Sequence, residues 1–405
     1  MQTSLAEFIR DTPEGREADA ILRKCVHCGF CTATCPTYQV LGDDLDSPRG
    51  RIYLIKRALE GAEVTEKTRL HLDRCLTCRA CETTCPSGVR YGRLADIGRA
   101  VVEARTTRSP WDALKRAFFA FALPRTALFS AALRLGQALR PLLPAPLKAR
   151  VPGKVRAAGA WPAPRHARKM LVLAGCVQPA LAPSINAAAA RVMDRAGISL
   201  VEVPGAGCCG ALRFHLNKQE AGRDDMRALI DAWWPAVERG EVEAIVMTAS
   251  GCGVTVREYG ELLAHDPAYR EKAARISSLV RDLAEVVPPG VIGAARRRGK
   301  VAFQAPCTLQ HGQKIRGAVE GLLAKAGYEL TLVRDGHLCC GSAGTYSILQ
   351  PALSTELRGR KLACLQEGSP QAIATANIGC LTHLQGATPT PVRHWVELLD
   401  EALAP

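Results

Sequence analysis

CVHCGFCTATCP (residues 25–36) and CLTCRACETTCP (residues 75–86) are two copies of one cysteine pattern, C-x2-C-x2-C-x3-C-P. This is the spacing with which bacterial two-cluster ferredoxins hold [4Fe–4S] clusters. The first three cysteines of a run can surround one iron–sulfur cube, whereas the fourth, after a longer step and beside a proline, ligates the other cube. The predicted ligand sets are Cys25, Cys28, Cys31 and Cys85 for cluster 1, and Cys75, Cys78, Cys81 and Cys35 for cluster 2. A structural zinc site also uses four cysteines, but usually as two C-x2-C pairs with a longer loop between them.

The 39 residues between the two runs are too many for a compact ferredoxin hairpin and carry the pattern of a helix. Ser47 suits an N-cap, Pro48 suits the first helical position, and apolar residues recur at helical spacing as far as Leu59. The sequence therefore predicts a helical, two-cluster ferredoxin-type domain over residues 1–104.

Four charged or titratable side chains lie near the cysteine runs. His27 and His71 are expected at the surface or beside the ligands, because the cysteines already complete both ligand sets. Arg49 and Arg51 could adjust the potential of a cluster electrostatically, but exposure at the surface is the commoner outcome for arginine.

The composition limits the classes of protein to consider. The chain has 405 residues, 17 of them cysteine, and 53 Lys+Arg against 39 Asp+Glu, for a net charge of +14. An apolar fraction of 47% argues against a disordered chain, and the low aromatic fraction of 5% argues against a stacking platform for single-stranded nucleic acid. With no apolar signal segment and no run of 18 apolar residues, we expect a protein of a reducing compartment that does not span a bilayer. In that setting clustered cysteines indicate metal or redox chemistry.

The positive charge is concentrated in one segment. Residues 105–170 hold 14 basic residues and a single acidic one, Asp112, whereas the rest of the chain is close to neutral. We interpret residues 105–169 as a basic, Pro/Ala-rich linker with one or two short amphipathic helices, interrupted at Pro124. Two interpretations stay open: a solvated connector packed on its own protein, or an apolar-faced basic strip on an anionic membrane or a partner subunit.

The C-terminal half contains an internal repeat. A single cysteine is followed 32 residues later by a Cys-Cys-Gly triplet, and a last cysteine stands 43 residues after the pair in one copy and 40 in the other. The repeated cysteines are Cys176, Cys208, Cys209 and Cys252 in the first copy, and Cys307, Cys339, Cys340 and Cys380 in the second. We therefore predict two duplicated cysteine-rich domains, over residues 170–288 and 298–405.

Strand-like runs precede these cysteines, and helical stretches separate the runs. The predicted strands are Met170–Ala174, Leu200–Val203, Ala244–Thr248, Val301–Gln304, Leu330–Val333 and Ala372–Ala376. Alternating strands and helices predict a parallel sheet in each copy, whose cysteine loops leave at the same edge. The predicted fold class is thus multidomain α and α/β: a helical ferredoxin-like N-terminal domain followed by two duplicated α/β cysteine-rich domains.

The four sulfurs of a copy can converge at that edge. They could hold a further iron–sulfur cluster or zinc, or act as a redox dithiol, and buried structural cysteines are the plainer alternative. The glycine after each pair, Gly210 and Gly341, would let the loop turn tightly. Cys364 fits no repeat position and is expected in the core.

The order of these motifs resembles the iron–sulfur electron-transfer subunits of respiratory dehydrogenases and of heterodisulfide reductase. The segments CVHCGFCTATCPTYQVLGDDLDSPRGRIYLIK and HLDRCLTCRACETTCPSGVRYGRLADIGR are similar in particular to the glycolate oxidase iron–sulfur subunit family. In the heterodisulfide reductase relatives another cysteine follows the last one of each domain as C-x-x-C, and Thr255 and His383 stand there in this chain. The resemblance therefore does not extend to a five-thiolate cluster, and His383 is an alternative ligand.

The resemblance implies a bacterial enzyme complex in which flavin-containing subunits oxidise glycolate to glyoxylate. This subunit would carry the electrons onward to a quinone or another acceptor, with no catalytic residue of its own and no nucleic acid as a partner. The implied location is the cytoplasmic face of the inner membrane, as a peripheral protein, with a soluble cytoplasmic location as the second choice. The alternatives are a catalytic thiol–disulfide subunit of the heterodisulfide reductase type, an iron–sulfur subunit of a lactate or glycerol-3-phosphate dehydrogenase, and a basic adaptor for nucleic acid or membrane.

Overall fold

The computed structural model describes residues 1–144, 148, 151–153, 155–293 and 296–404. Its N-terminal part is helical. The α-helices there are Glu7–Arg10, Pro13–Lys24, Pro36–Leu41, Pro48–Leu59, Glu66–Asp73, Ala80–Thr84 and Tyr91–Arg105, with 3-10 turns at Phe30–Thr32 and Asp44–Asp46. The predicted helix start is confirmed, because Ser47 Oγ accepts a hydrogen bond from Gly50 N at 3.0 Å and Pro48 opens the helix.

Helix Pro48–Leu59 packs against helix Tyr91–Arg105 at the centre of this part of the chain. Ile55 and Leu94 are fully buried there. The approach is close because position 98 is a glycine: a Cβ on Gly98 would lie 2.5 Å from Ile55 Cγ1. Pro48 and Tyr91, the first residues of these helices, lie beside cysteines of both runs. The apolar core between the helices therefore fixes the relative position of the two runs.

The basic segment forms two helices, Pro110–Ala122 and Thr126–Leu139, with a 3-10 turn at Arg140–Leu142. The break falls at Pro124, as predicted. In the described part of the chain no single helix is long and apolar enough to cross a membrane. Taken together, the two helices have the length and the apolar composition of a membrane span, but they meet at a bend of 107°.

Two four-stranded sheets follow, and every strand pair in them is parallel. The strands of the first sheet are β1 (Arg168–Val172), β2 (Ile198–Val201), β3 (Ile245–Met247) and β4 (Val280–Asp282), and those of the second are β5 (Lys300–Gln304), β6 (Glu329–Leu330), β7 (Ala372–Thr375) and β8 (Val392–His394). The spatial orders are β2-β1-β3-β4 and β6-β5-β7-β8. Because the two orders are equivalent, the predicted duplication and the predicted α/β class are confirmed.

Helices cover both faces of these sheets. The α-helices are Gln178–Leu181, Ser184–Arg195, Ala211–His215, Gln219–Glu238, Ser250–Arg257, Tyr259–Leu262, Arg270–Leu279, Leu283–Val286, Ala318–Lys325, Tyr346–Leu349, Pro351–Gln366, Ile378–Gln385 and Trp395–Leu403, with a 3-10 turn at Pro289–Val291 and a π-helical turn at Thr308–Gly312. One apolar core extends through both domains, and helix Ser184–Arg195 packs there on Trp395–Leu403. His394 Nε2 lies 2.8 Å from the carbonyl oxygen of Thr248 across this interface. The two domains therefore share one core where they face each other, and each also has a core of its own on its other side.

Three details differ from the sequence prediction. The fourth strand of each sheet was missed, since no repeated cysteine follows β4 or β8 and each runs directly into a helix. Strand β6 has two residues instead of the predicted Leu330–Val333. The expectation of a core position for Cys364 is wrong, because it lies on helix Pro351–Gln366 and is partly exposed.

Candidate functional site

Two neighbouring cavities in the helical part are lined by cysteines of both runs. The cysteines of the first cavity are Cys25, Cys28, Cys31, Cys81 and Cys85. The cysteines of the second cavity are Cys35, Cys75, Cys78 and Cys81. The structure thus places the fourth cysteine of each run beside the first three of the other. The hydrogen bond from Thr84 Oγ1 to Thr34 Oγ1, at 3.3 Å, joins the two runs just before these fourth cysteines.

The backbone repeats the same unusual conformation in both runs. His27 and Gly29 have φ values of 56° and 84°, and the corresponding Thr77 and Arg79 have φ values of 53° and 60°. Three of these residues are not glycine, so the left-handed conformation is strained and is held by the surrounding structure. It turns backbone amides toward the sulfurs, and Thr77 N donates to Cys75 Sγ at 3.4 Å. The sequence did not show this feature, since only Gly29 carries a signal for it.

Polar groups are also directed at the sulfurs of the second cavity. Tyr91 Oη donates to Cys75 Sγ at 3.5 Å, and Thr37 Oγ1 lies 3.3 Å from Cys35 Sγ. Arg51 Nη1 lies 4.0 Å from Cys35 Sγ. Such donors stabilise a thiolate, which is the form of cysteine that binds metal.

A buried charge network surrounds Arg51, whose side chain is only 1% exposed. Its Nε donates to the carbonyl oxygen of His71 at 2.7 Å, and its Nη2 lies 3.2 Å from Asp46 Oδ1. Asp46 also pairs with Arg74 at 2.8 Å. A second buried guanidinium, Arg99, donates to the carbonyl oxygen of Cys75 at 2.7 Å. The expectation of surface exposure is therefore wrong for Arg51.

The other side chains near the runs have different positions. Arg49 is partly exposed and pairs with Asp44 at 2.9 Å. His71 is buried, and its Nδ1 lies 3.2 Å from Asp46 Oδ1 but outside hydrogen-bond geometry. His27 lines the first cavity and is half-buried.

The thiols of the cavities fit an iron–sulfur site on chemical grounds. Burial opposes ionisation of Cys75, but Arg51 and Arg99 outweigh it and lower the pKa of that thiol. Burial raises the pKa of Cys81 well above its usual range, and that of Cys31 to about 11. These thiols would become thiolates only with a compensating cation, and thiolates are the soft ligands that iron–sulfur clusters select. The donor set therefore fits the clusters predicted from the spacing.

The repeated cysteines of the first sheet converge as the strand order predicts. Cys176, Cys208 and Cys252 follow β1, β2 and β3. The thiols of Cys176 and Cys209 donate to Cys208, and these hydrogen bonds together with burial raise the pKa of both donors well above the usual value. The pKa of Cys208 lies well below its usual value, because the thiols of Cys176 and Cys209 donate to it and Gly210 N donates at 3.4 Å. Gly210 has a φ of 81°, and a Cβ there would lie 2.4 Å from the oxygen of Gly222.

The second sheet brings Cys307, Cys339, Cys340 and Cys380 together in the same way. The sulfurs of Cys307 and Cys339 are 3.9 Å apart. Cys307 lowers the pKa of Cys339, but Cys340 and burial outweigh this effect and raise the pKa well above its usual value. The two sites therefore share the same arrangement of four cysteines. Their surroundings differ, because those of the first site favour a thiolate at Cys208 and those of the second oppose ionisation of Cys339.

The positions expected for a further cysteine are occupied by side chains with other contacts. Thr255 Oγ1 donates to the carbonyl oxygen of Gly251 at 3.3 Å. His383 Nε2 lies 3.2 Å from Ser354 Oγ, and burial together with Arg358 lowers the pKa of this histidine to about 4. His383 is thus a neutral imidazole at neutral pH.

The second cysteine-rich site lies directly against the second ferredoxin-type cavity. Cys339 belongs to the same apolar cluster as Leu76, and Cys78 and Cys307 pack on that cluster. Tyr346 Oη donates across the contact to the carbonyl oxygen of Arg74 at 3.1 Å. These contacts join residues far apart in the chain, so the sequence carries no local signal for them.

The first cysteine-rich domain contacts the helical part at other points. Arg79 forms an ion pair with Glu258, and Gln219 Nε2 donates to the carbonyl oxygen of Asp96 at 2.9 Å.

Asn377 links the two cysteine-rich sites. Its Nδ2 donates to Cys380 Sγ at 3.6 Å, and its Oδ1 accepts from the amide of Gly251 at 3.4 Å.

Comparisons with known proteins agree with this organisation. The 4Fe–4S dicluster domain family matches residues 21–89, and the cysteine-rich domain family matches residues 170–257 and 301–385. The glycolate oxidase iron–sulfur subunit of Escherichia coli (strain K12) is 54% identical over 405 residues, which cover 100% of this chain and 99% of that protein.

More distant relatives have related names. The probable glycolate oxidase iron–sulfur subunit of Bacillus subtilis (strain 168) is 29% identical, over 90% of this chain and 88% of that protein. A lactate utilization protein A of Bacillus licheniformis is 24% identical, over 57% of this chain and 99% of that protein. With its paired cysteine runs, its duplicated cysteine-rich domains and its full-length similarity, the chain belongs to the family of glycolate oxidase iron–sulfur subunits and is an iron–sulfur electron-transfer subunit of an oxidoreductase.

Proposed function

We propose that this chain carries electrons within a complex that oxidises glycolate to glyoxylate. In this proposal the chain holds two [4Fe–4S] clusters and flavin-containing partner subunits perform the oxidation. Cys25, Cys28, Cys31 and Cys85 hold one cluster, and Cys35, Cys75, Cys78 and Cys81 hold the other. The observation that supports this is the pair of adjacent cavities, each lined by three cysteines of one run and the fourth of the other.

The stoichiometry of the reaction suits such a carrier. Oxidation of glycolate to glyoxylate releases two electrons and two protons, and a quinone takes up the same number to form a quinol. A bound [4Fe–4S] cluster supplies one-electron transfer. The chain's own residues set the conditions: Arg51 and Arg99 place positive charge beside the second cavity, where Cys35, Cys75 and Cys81 are buried.

We also propose that the second cysteine-rich site, Cys307, Cys339, Cys340 and Cys380, is a redox site. Its contact with Cys78 and Leu76 supports a redox function over a purely structural one. In the first site, by contrast, the lowered pKa of Cys208 favours a thiolate. A reactive thiol in that site is the second candidate, in which the domain would act on a disulfide.

The experiment is reduction of the purified complex by its substrate. Under anaerobic conditions glycolate should bleach the visible absorbance of the clusters, whereas lactate and glycerol 3-phosphate should bleach it more slowly. Lactate is the sharpest comparison, because lactate utilization proteins are among the relatives. Bleaching by lactate but not by glycolate would contradict the proposed substrate.

A further inference from the structure

We infer that helices Pro110–Ala122 and Thr126–Leu139, with the turn that ends at Leu142, form a docking surface for an anionic lipid bilayer. We call these residues, 110–142, the bent helix pair. The inference assigns a surface to the peripheral location that the family resemblance implies, and it rests on that location only for which membrane is bound. It does not depend on which substrate the complex oxidises.

The bent helix pair exposes an unusual number of large apolar side chains. Of eighteen such exposed residues in the described part of the chain, eight lie in it. They are Trp111, Leu114, Phe118, Phe121, Leu128, Leu135, Leu139 and Leu142. The first four are spaced by three, four and three residues, and Leu128, Leu135 and Leu139 by seven and four, so each set lies on one face of its helix, and Leu142 follows in the turn. Apolar side chains exposed together in this way mark an interaction site.

The opposite face of the first helix is attached to the protein. Arg116 is buried and pairs with Asp73 at 3.1 Å, and the carbonyl oxygen of Ala120 accepts a hydrogen bond from Arg213 Nε at 2.9 Å. The exposed face of this helix is therefore directed outward by contacts on its other side.

Charge identifies the chemistry of the occupant. The acidic residue of this segment, Asp112, is already paired with Arg108 and Arg116. The exposed cations Lys115 and Arg134 have no carboxylate within ion-pair distance among the described residues, and Arg125 stacks on Phe121 at 3.8 Å. Basic residues around an apolar helical face are the signature of helices that lie in the interface of an anionic membrane.

The geometry favours helices that lie on the bilayer over helices that span it. A spanning helix needs about 20 residues, whereas these helices have 13 and 14 and meet at a bend of 107°. The contact of Arg213 with Ala120 also places the first cysteine-rich domain directly behind this surface, since Arg213 adds positive charge beside Cys208.

The test is co-sedimentation of the cluster-loaded protein with vesicles, both alone and in the purified complex with its partner subunits. Vesicles of phosphatidylcholine with phosphatidylglycerol should bind it, and pure phosphatidylcholine vesicles should bind it much less. The double variant Phe118→Asp/Leu135→Asp should lower binding by about tenfold or more, because it places charge on the apolar face. The matched control, Leu332→Asp/Ile348→Asp, changes two exposed apolar residues elsewhere and should bind like the wild type.

Three results would overturn the inference. They are unchanged binding of the Phe118→Asp/Leu135→Asp variant, equal binding to both kinds of vesicle, and loss of partner subunits from this variant with vesicle binding retained. The last result would assign the surface to a protein partner. Glycolate-dependent bleaching in detergent should be unaffected by the variant. A failure of bleaching in the wild type would count against the proposed function and leave the docking result standing.

Discussion

Substitution of Arg51 is the sharpest test of how the protein sets the reduction potential of the cluster in the second cavity. Its guanidinium is buried, and Nη1 lies 4.0 Å from Cys35 Sγ. A unit charge at this distance interacts with another by about 4 kcal/mol at an effective dielectric constant of about 20. Because a positive charge stabilises the reduced cluster, Arg51→Gln should lower the potential of the cluster in this cavity.

The expected shift is smaller than the full Coulomb value. The added electron is spread over the cluster, and Asp46 offsets part of the charge of Arg51 at 3.2 Å. We expect a third to a half of the interaction, about 1.4 to 2 kcal/mol, which corresponds to about 60 to 85 mV for a one-electron couple. Asp46 keeps Arg74 as a partner at 2.8 Å, so the variant should still fold.

The assay is an anaerobic redox titration followed by paramagnetic resonance, with each cluster's potential measured. Arg51→Lys keeps the charge and should recover most of the shift. Arg49→Gln is the matched control, because Arg49 is partly exposed and solvent screens its charge to an effect of less than about 20 mV. An unchanged potential in Arg51→Gln, or the same shift in Arg51→Lys, would refute the electrostatic argument.

Three further predictions concern ligands and stability. Cys35→Ser should disturb the resonance signal of the cluster held by the second run, and loss of only the other signal would exclude the crossed assignment. The double variant Cys209→Ala/Cys340→Ala should contain as much iron as the wild type, about eight atoms for two [4Fe–4S] clusters, if the cysteine-rich sites bind none; a lower iron count in the variant would show that they bind iron. His394 is buried, and burial lowers its pKa to about 4, so the unfolded chain takes up its proton first as the pH falls below about 6.5. Its contribution should therefore reduce the free energy of unfolding by about 1.4 kcal/mol between pH 7.5 and 5.5, and denaturant titration of His394→Gln should show a smaller decrease over this range.

The sequence was informative where the chemistry is local. A metal-binding run needs its cysteines at fixed spacing, so the two runs could be found from spacing alone. Equal separations also revealed the duplicated domains, since duplication preserves the distances between cysteines. Strands β4 and β8 escaped detection because no repeated cysteine follows them and each runs directly into a helix, whereas the equally short β3 lies in an apolar run that leads to Cys252.

The sequence could not predict which side chains are buried or paired by residues from other segments of the chain. Arg49 and Arg51 are two residues apart on one helix, yet Arg49 is partly exposed and Arg51 is buried. The difference comes from partners on other segments, namely Asp46 and the carbonyl oxygen of His71. The pairing of Arg79 with Glu258 is another case, because it joins residues 179 positions apart.

The duplicated domains carry the same pattern of four cysteines, but different neighbours pack against the two sites. Cys339 and Cys307 contact the second ferredoxin-type cavity through Leu76 and Cys78. The other site lies near Arg213, which reaches the bent helix pair.

Asn377 joins the two sites, because it contacts both Cys380 Sγ and the amide next to Cys252. The four cysteine sites are therefore joined by direct contacts: Cys81 lines both cavities, Leu76 and Cys78 join the second cavity to one cysteine-rich site, and Asn377 joins that site to the other. A chain that needed metal only for stability would not need contacts between its sites, because a structural site stabilises its own domain wherever it lies. Contacts between the sites are what an electron-transfer subunit requires, and they arise from the different packing of two domains that share one fold.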